Sequence, residues 1–310
     1  IKIWSRPFID RGLDDVALHH PYMRMLSLSS VPRQGQRVDA YLDWMRAFAP
    51  AYVAGPPSFL FALARGARAR GRRDVRFGVY MACFENLYPF QRAAIEEQFG
   101  CRTFRFYSSE EDLFYAVECG QHRGLHVDCR KGVVEVVDRH GEPLPPGQRG
   151  RVVATGLHNR VMPLIRYEMG DLATLSAEPC GCGLGLPLLS TLDGRTAEAL
   201  ELCGRVLYPA TLSVALEGRP HIRQCQFVRL GPRALELRVE PLPGFGERDR
   251  AALRRDLRAL VDPALQVTVR QVPRLAPGPS GKLPLVRDLE REARAARPGA
   301  GGGCDAGVSG

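Results

Sequence analysis

The first part of the chain repeats its hydrophobic and polar positions with a helical period. From Arg37 to about Gly71 the apolar residues recur every three or four positions, and the run Gly55-Pro-Pro57 interrupts them. Apolar residues at this spacing lie on one face of an α-helix. Ser58 directly follows the interruption, and a serine hydroxyl can accept a hydrogen bond from the first helical turn. The pattern therefore predicts two helices, the second of them capped by Ser58.

Short apolar runs then alternate with a helical segment. Residues 76–82 and 103–107 predict buried strands, whereas residues 88–99 are amphipathic and stop at Gly100, a common residue after a helix end. A strand, a helix and a strand at this spacing indicate a parallel α/β unit.

The pattern changes after residue 113. Residues 124–175 alternate apolar and polar positions between turns, which predicts a β-rich, barrel-like part. Further along, two strands, a helix at 247–261 and another strand at 266–270 predict a small α+β domain.

These patterns together predict an α/β fold with two domains. We expect residues 1–192 to form the C-terminal portion of a large domain and residues 193–290 to form a small C-terminal domain, with the boundary near 190–198. Residues 291–310 consist largely of Ala, Gly, Arg and Pro, a composition that predicts a disordered tail.

Composition and charge narrow the class of protein. With 45% hydrophobic residues the chain can bury a core, and no stretch approaches the roughly 18 apolar residues of a membrane span. The net charge of +9 comes mostly from Arg, in runs such as 65–73 that fit solvated helix faces, so we expect no nucleic-acid partner. Nine scattered Cys and the lack of a visible signal peptide favour a cytoplasmic protein with reduced thiols.

Asp171 is the first candidate for binding chemistry. It follows Gly170 at the end of an apolar, β-prone run that starts at Pro163. A carboxylate at such a strand-to-turn corner can accept hydrogen bonds from two hydroxyls at once, and the vicinal hydroxyls of a ribose are a fitting pair. Asp171 is therefore a candidate nucleotide ligand, although Gly-Asp turns without a ligand are common.

The run Tyr107-Ser108-Ser109-Glu110 closes the second strand of the predicted parallel unit. Ligands of open parallel sheets bind beyond the carboxyl ends of the strands. Small hydroxyls there can reach a phosphate, and Glu110 can hold Mg²⁺ together with substrate phosphates. A helix N-cap is the alternative interpretation of the same residues.

Two cationic positions follow downstream. Arg195 comes after Gly194 at the predicted domain boundary and can contact a nucleotide, or it can be a surface Arg in a turn. Lys282 closes the loop Pro279-Ser-Gly-Lys and is one of very few lysines in an Arg-dominated chain. A loop lysine is a suitable point charge for a phosphate–carboxylate transition state, although a solvated lysine is the simpler explanation.

In this order along the chain, the four motifs together resemble the adenylate-forming superfamily, which includes acyl-CoA synthetases, peptide-synthetase adenylation domains and luciferases. The local sequences at 141–150, 152–156 and 159–167 are similar to the phenylacetate-CoA ligase branch, and within it to the capsular-polysaccharide-associated adenylate-forming proteins. The resemblance covers about residues 40–290.

The resemblance implies an ATP-dependent ligase. Such an enzyme activates a carboxylic acid, here an aryl or other small acid, to an acyl-adenylate and then transfers the acyl group to a thiol such as coenzyme A. The implied ligands are therefore ATP or AMP, Mg²⁺, the acid and the thiol acceptor. The sequence leaves the oligomeric state open, a dimer included.

The resemblance also implies a role for each motif residue. Asp171 would bind the ribose hydroxyls, and Arg195 would approach the nucleotide at the hinge between the domains. Lys282 would bridge the acyl carboxylate and the α-phosphate. The residues implied to surround the adenine, the α-phosphate and Mg²⁺ are Tyr107, Ser108, Ser109 and, for the metal, Glu110.

Three departures from the family pattern qualify these roles. No Ser/Thr/Gly-rich phosphate loop precedes Tyr107, so we expect an N-terminally truncated chain that does not turn over alone. Ser108 stands where the family usually has Gly, and Thr196-Ala-Glu198 stands where the hinge commonly has Asp. The alternative hypothesis is a non-catalytic protein of the same fold that binds a nucleotide or a partner.

Two groups of Cys and His complete the candidate sites. Cys119 precedes His122 and His126, and Cys180 and Cys182 follow downstream. Three Cys and one His form a full tetrahedral set for structural zinc, although two unrelated thiol pairs are the simpler explanation. The resemblance supports pairing the two groups and favours His126 over His122. Four protein ligands leave no open position, so this zinc would be structural.

Overall fold

The computed structural model describes residues 1–3, 17–29, 38–195, 198–275 and 283–295. The helices are α1 (Val38–Phe48), α2 (Pro57–Ala69), α3 (Pro89–Phe99), α4 (Pro209–Ser213), α5 (Glu247–Leu260) and α6 (Leu289–Ala295), with a short 3-10 helix at Val214–Leu216. The strands are β1 (Lys2–Ile3), β2 (Ala17–His20), β3 (Met25–Leu28), β4 (Tyr52–Gly55), β5 (Val79–Ala82), β6 (Arg102–Ser108), β7 (Tyr115–Glu118), β8 (Leu125–Val127), β9 (Gly132–Val137), β10 (Arg149–Gly156), β11 (Tyr167–Leu175), β12 (Leu188–Arg195), β13 (Leu200–Leu202), β14 (Arg205–Leu207), β15 (Ile222–Gly231), β16 (Ala234–Pro241), β17 (Gln266–Gln271) and β18 (Val286–Asp288).

The large-domain part is built on one extended sheet. Its strand order is β2-β3-β1-β4-β5-β6-β7-β8-β12-β11-β10-β9, and β1, β4, β5 and β6 are parallel. Strand β6 joins two kinds of pairing. Its first half pairs in parallel with β5, and its second half, Phe106–Ser108, pairs in antiparallel fashion with β7. The predicted parallel α/β unit and the β-rich part are both confirmed.

The antiparallel part of the sheet is strongly curled. Strands β6 and β11 are four positions apart in the strand order, which is about 19 Å in a flat sheet with a strand spacing of about 4.8 Å. The Tyr107 hydroxyl on β6 nevertheless lies 2.8 Å from Asp171 on β11. The curl encloses a core that includes Leu113, Phe114 and Val152, and it agrees with the predicted barrel-like part.

The predicted helical run at residues 37–71 is interrupted by a strand that the pattern did not predict. Strand β4 lies between α1 and α2 and pairs with β1 and β5. Its Gly55 approaches β1 so closely that a Cβ atom there would lie 2.5 Å from the Ile3 Cβ. The predicted cap is also wrong. Pro56 is the N-cap and Pro57 opens the helix, whereas Ser58 lies within the first turn and donates hydrogen bonds from its N–H and Oγ to Glu85.

The small domain has its own sheet and core. Strands β17-β16-β15-β18 form a four-stranded sheet. Helix α5 packs Leu253 and Leu257 into the hydrophobic core of this domain, which also contains Leu200. Strand β12 of the large sheet continues to Arg195. The predicted boundary between 192 and 193 therefore falls inside strand β12.

The predicted disordered tail begins too early. Helix α6 continues to Ala295, because charged side chains fix its first turns to the small sheet. Arg229 pairs with Glu290 at 2.6 Å, and the Arg287 Nε atom donates to Glu292 at 2.9 Å. Residues 296–310 lie outside the described residues. Of the described helices, none has the length and apolarity needed to cross a membrane.

Candidate functional site

Three of the predicted nucleotide-binding residues lie together. Asp171 on β11 and Arg195 on β12 are direct cross-strand partners, and the Arg195 Nε atom is 3.9 Å from the Asp171 Oδ1 atom. The Tyr107 hydroxyl donates a 2.8 Å hydrogen bond to Asp171 Oδ2. The curl of the sheet thus brings residues from three strands around one carboxylate.

Local backbone geometry directs Asp171 toward this cluster. Gly170 has a φ of 74°, a conformation that glycine adopts without steric cost. The pairing of β10 with β11 also shifts between Arg151–Leu172 and Val153–Glu168, so β11 contains a bulge next to Asp171. Bulges reorient side chains near functional sites. The Gly-Asp corner seen in the sequence is therefore a bulged strand.

Burial differs among the three residues. The Asp171 side chain is 14% exposed, whereas the Arg195 side chain is 66% exposed. Burial and then the charge of Asp171 raise the pKa of the Tyr107 phenol well above its ordinary value. Tyr107 therefore remains a protonated donor at neutral pH. It holds one carboxylate oxygen of Asp171, and the cluster presents an oriented anion beside an exposed guanidinium.

Strand β6 ends at Ser108, and a turn follows it. Ser108 pairs with Tyr115 in the β6–β7 ladder, and the Ser109 Oγ atom accepts a 3.2 Å hydrogen bond from the Leu113 N–H. No helix starts at this described turn, so the N-cap alternative is not what the structure shows. Glu110 is exposed at the start of the turn, and none of the described residues is recorded as its ion-pair or hydrogen-bond partner.

Lys282 lies outside the described residues, but the residues after it line a cavity. This interdomain cavity has a volume of about 380 Å³. Its large-domain wall includes Phe84, Asn86 and Tyr88. The opposite wall includes Gln224, Cys225 and Leu283 of the small domain, and Arg195 also lines the cavity.

One residue of this region was missed in the sequence. Glu85 lies in the loop after β5, and its carboxylate accepts hydrogen bonds from the Ser58 N–H at 3.1 Å and from Ser58 Oγ at 3.0 Å. It thereby stabilises the N-terminus of α2, where backbone N–H groups favour an anion. Its position beyond a parallel strand was the available signal.

A second cluster brings together Cys119, His126, Cys180 and Cys182. The potential ligand atoms all lie within 4.8 Å of one another. Cys119 follows β7, His126 lies on β8, and the pairing of β8 with β12 brings the loop that carries Cys180 and Cys182 to the same place. Residues about 60 positions apart in sequence are thus adjacent in space.

The geometry of this cluster suits a tetrahedral metal. The Cys119 and Cys180 sulfurs are 3.7 Å apart, and Cys182 Sγ is 3.3 Å from the His126 Nε2 atom. His126 is 4% exposed, and its Nδ1 atom is buried without a hydrogen-bond partner among the described residues. Three thiols and an imidazole are a zinc donor set. His122 lies elsewhere, against Glu118 at 3.3 Å, so it does not join the cluster.

Comparison with known proteins shows what the chain is similar to. It is 30% identical over 209 residues to a phenylacetate-coenzyme A ligase of Thermus thermophilus, a match covering 66% of this chain and 47% of that protein. A phenylacetate-coenzyme A ligase of Pseudomonas putida is 25% identical over 195 residues, covering 60% of this chain and 43% of that protein. The chain spans about half the length of the curated relatives that it matches. No protein-family model matches it.

Solved structures of other proteins share the fold of this chain. A 2-hydroxyisobutyryl-CoA ligase in the postadenylation state, in complex with R3-HIB-AMP, superimposes with a TM-score of 0.72 at 24% identity, over 87% of this chain and 61% of that chain. An anthranilate CoA ligase in complex with anthranoyl-AMP gives a TM-score of 0.62 at 15% identity, over 87% of this chain and 54% of that chain. The predicted resemblance and the fold are confirmed.

Proposed function

We propose, from its similarity to phenylacetate-coenzyme A ligases and its adenylate-forming fold, that this chain is part of an enzyme that activates a carboxylic acid with ATP. The acid oxygen attacks the α-phosphate, pyrophosphate leaves, and an acyl-adenylate forms. A thiol such as that of coenzyme A then attacks the acyl carbon and AMP leaves. The mixed anhydride makes the acyl carbon a far better electrophile than the free carboxylate.

The contact between Tyr107 and Asp171 supports this proposal most directly. Tyr107 occupies one carboxylate oxygen of Asp171 at 2.8 Å, so the carboxylate is held in a fixed orientation. In our proposal Asp171 accepts the ribose hydroxyls, and Arg195 contributes a positive charge beside the nucleotide. Oriented groups of this kind stabilise a bound state at little cost in reorganisation.

The remaining site residues take the roles that the resemblance implied. Ser108 and Ser109 contact the nucleotide at the end of β6, and Lys282 bridges the acyl carboxylate and the α-phosphate. Glu110, as an exposed carboxylate beside them, is suited to hold Mg²⁺ together with substrate phosphates. Mg²⁺ would neutralise phosphate charge.

The acid that we propose is an aryl or other small acid. The interdomain cavity of about 380 Å³ has Phe84 and Tyr88 in its wall, and an aromatic wall suits an apolar or aryl acyl group. We place the reaction in the cytoplasm, where the Cys cluster would stay reduced.

A pyrophosphate-exchange assay tests the proposal. The full-length parent protein is incubated with ATP, labelled pyrophosphate and a panel of aryl and short-chain acids. We expect acid-dependent exchange that Asp171→Asn weakens strongly and Glu168→Gln leaves unchanged. Glu168 is on the same strand and is a suitable control because it pairs with Arg151. Absence of exchange with every acid, together with AMP binding, would instead support the alternative of a nucleotide-binding protein without turnover.

We also propose that Cys119, His126, Cys180 and Cys182 hold a structural zinc ion. The compact donor set and the buried imidazole support this assignment. The zinc would connect β7 and β8 to the loop before β12, which leads to Arg195. Metal analysis of the purified protein should give about one zinc per chain. A Cys180→Ser/Cys182→Ser double variant should lose the zinc, and a zinc content unchanged by that substitution would exclude the assignment.

A further inference from the structure

The seam between α2 and the beginning of β15 contains a buried arginine. Arg65 is 7% exposed, although it belongs to a run that the sequence assigned to a solvated helix face. Its Nε atom donates a 3.0 Å hydrogen bond to the Ile222 carbonyl, and its Nη2 atom donates a 2.6 Å hydrogen bond to the Arg219 carbonyl. Both acceptors belong to the small domain. Arg68, one turn further along α2, is half exposed and pairs with Glu97 of the large domain.

A second contact crosses the same seam. The Gln224 side chain on β15 donates a 3.2 Å hydrogen bond from Nε2 to the Ser58 carbonyl at the start of α2. Ser58 and Arg65 are seven residues apart and therefore lie on one face of the helix. The seam thus has a polar contact at each end, and the small domain supplies a partner for both.

Arg65 also touches one wall of the interdomain cavity. Its guanidinium carbon lies 5.7 Å from the centre of the Phe61 ring, and Phe61 lines the cavity from α2. The carbonyl that it binds, at Ile222, is two residues before Gln224 and three before Cys225, which line the opposite wall. One side chain therefore connects both walls.

Arg65 can make these two hydrogen bonds only while the small domain is docked against α2. A guanidinium removed from water is costly unless its donors find acceptors, and burial lowers the pKa of Arg65 accordingly. The acceptors at Arg219 and Ile222 exist at this place only while the small domain lies against α2. If the domains separate, water must replace both hydrogen bonds.

We propose that Arg65 is a positioning residue that holds the small domain against α2 and thereby completes the interdomain cavity. The proposal rests on the proposed function only for the identity of the ligand that enters the cavity. The docking itself is a property of the free chain, and it can be measured without substrate.

Cys225 provides the measurement. Cys225 is 6% exposed and lies in the small-domain wall of the cavity, so opening of the seam should increase the access of a reagent to its thiol. We would follow alkylation by N-ethylmaleimide at neutral pH, residue by residue, with mass spectrometry. Cys101 serves as an internal control because it is also 6% exposed but lies in the core of the parallel unit. Only global unfolding should expose both thiols.

The variants are Arg65→Met, which keeps an unbranched chain but removes the donors, and the matched control Arg68→Met. We expect Arg65→Met to raise the Cys225 alkylation rate at least about tenfold, equivalent to about 1.4 kcal/mol in the opening equilibrium. Cys101 should be unchanged, and Arg68→Met should alter neither rate. An unchanged Cys225 rate in Arg65→Met would overturn the proposal.

If Arg65→Met unfolds the chain, Cys101 and Cys225 should be alkylated at equal rates. A milder variant is then needed. Arg65→Lys retains a charge but can satisfy only part of the fork geometry. If Arg65→Lys raises the alkylation rate of Cys225 but not that of Cys101, the proposal is supported. If the alkylation rate of Cys225 does not rise, the proposal is overturned. Because no ligand is present, failure of the pyrophosphate-exchange assay would leave this result unaffected.

Discussion

Replacing Tyr107 by Phe tests how the candidate nucleotide site is held together. The substitution removes one hydroxyl, whose 2.8 Å hydrogen bond is made to a carboxylate that is only 14% exposed. A hydrogen bond to a charged group contributes about 1.5–3 kcal/mol. We therefore expect the free energy of unfolding to fall by about that amount. With a denaturant slope of about 3 kcal/mol per molar urea, the midpoint should fall by about 0.5–1 M.

Tyr115→Phe is the matched control for this measurement. Tyr115 donates a 2.5 Å hydrogen bond to Asp112, so the chemical change is the same. The Asp112 side chain is 56% exposed, and solvent screening should limit its loss to below about 1 kcal/mol. In an Asp171→Ala background the effect of Tyr107→Phe should fall below about 0.5 kcal/mol, because the partner has already gone. If Tyr107→Phe lowers the free energy of unfolding no more than Tyr115→Phe does, a stabilising buried hydrogen bond from Tyr107 to Asp171 is refuted.

The remaining predictions concern the metal cluster and pH. His126→Asn should remove the zinc found by metal analysis, whereas His122→Asn should retain it, because His122 lies against Glu118 outside the cluster; equal zinc content in both variants would contradict the assignment. Burial raises the pKa of Cys101 to about 11 and that of Cys225 to about 12, from an ordinary value of about 9. Each thiol stays protonated in the folded chain to a higher pH than in the unfolded chain, where it ionises above about pH 9. The free energy of unfolding is therefore unaffected below pH 9 and declines as pH rises toward 11–12, by about 1.4 kcal/mol per thiol at pH 10. Urea unfolding from pH 7 to 10 should thus show a shallower decline in a Cys101→Ala/Cys225→Ala variant than in the parent chain, and parallel declines would disprove the linkage.

The local pattern was sufficient to predict the strand, helix and strand within residues 76–107. Strand β5, helix α3 and strand β6 follow the predicted sequence of elements, and Gly100 ends the helix with a positive φ of 65°. Strand β4 was missed because it lies within a run whose apolar spacing is helical, between two helices. Its identity depends on β1 and β5 beside it, which is tertiary information.

The candidate site could be recognised only through the order of its motifs. Tyr107, Asp171 and Arg195 come from three strands, and their proximity depends on the curl of a sheet whose strand order is not encoded locally. The proximity of Cys119 and His126 to Cys180 and Cys182 has the same origin, since the pairing of β8 with β12 joins the two groups.

Arg65 shows the opposite case. Composition alone assigns an Arg in an Arg-rich run to solvent, and that rule holds for Arg68, which is half exposed. Arg65 is buried because the small domain presents two carbonyl groups to it. The partner is more than 150 residues away in sequence, so no local pattern could have predicted it.

Calorimetric titration of the chain with AMP and with 2′-deoxy-AMP tests whether Asp171 binds the ribose. We expect the unsubstituted chain to bind AMP, and Asp171→Asn to weaken AMP binding by about 10- to 100-fold through the loss of a charge-assisted hydrogen bond. Removing the 2′-hydroxyl of AMP should weaken binding to the unsubstituted chain but have little further effect in Asp171→Asn. The Glu168→Gln variant should bind both nucleotides as the unsubstituted chain does. Equal AMP affinity in the parent chain and in Asp171→Asn would contradict the assignment of Asp171 to the ribose.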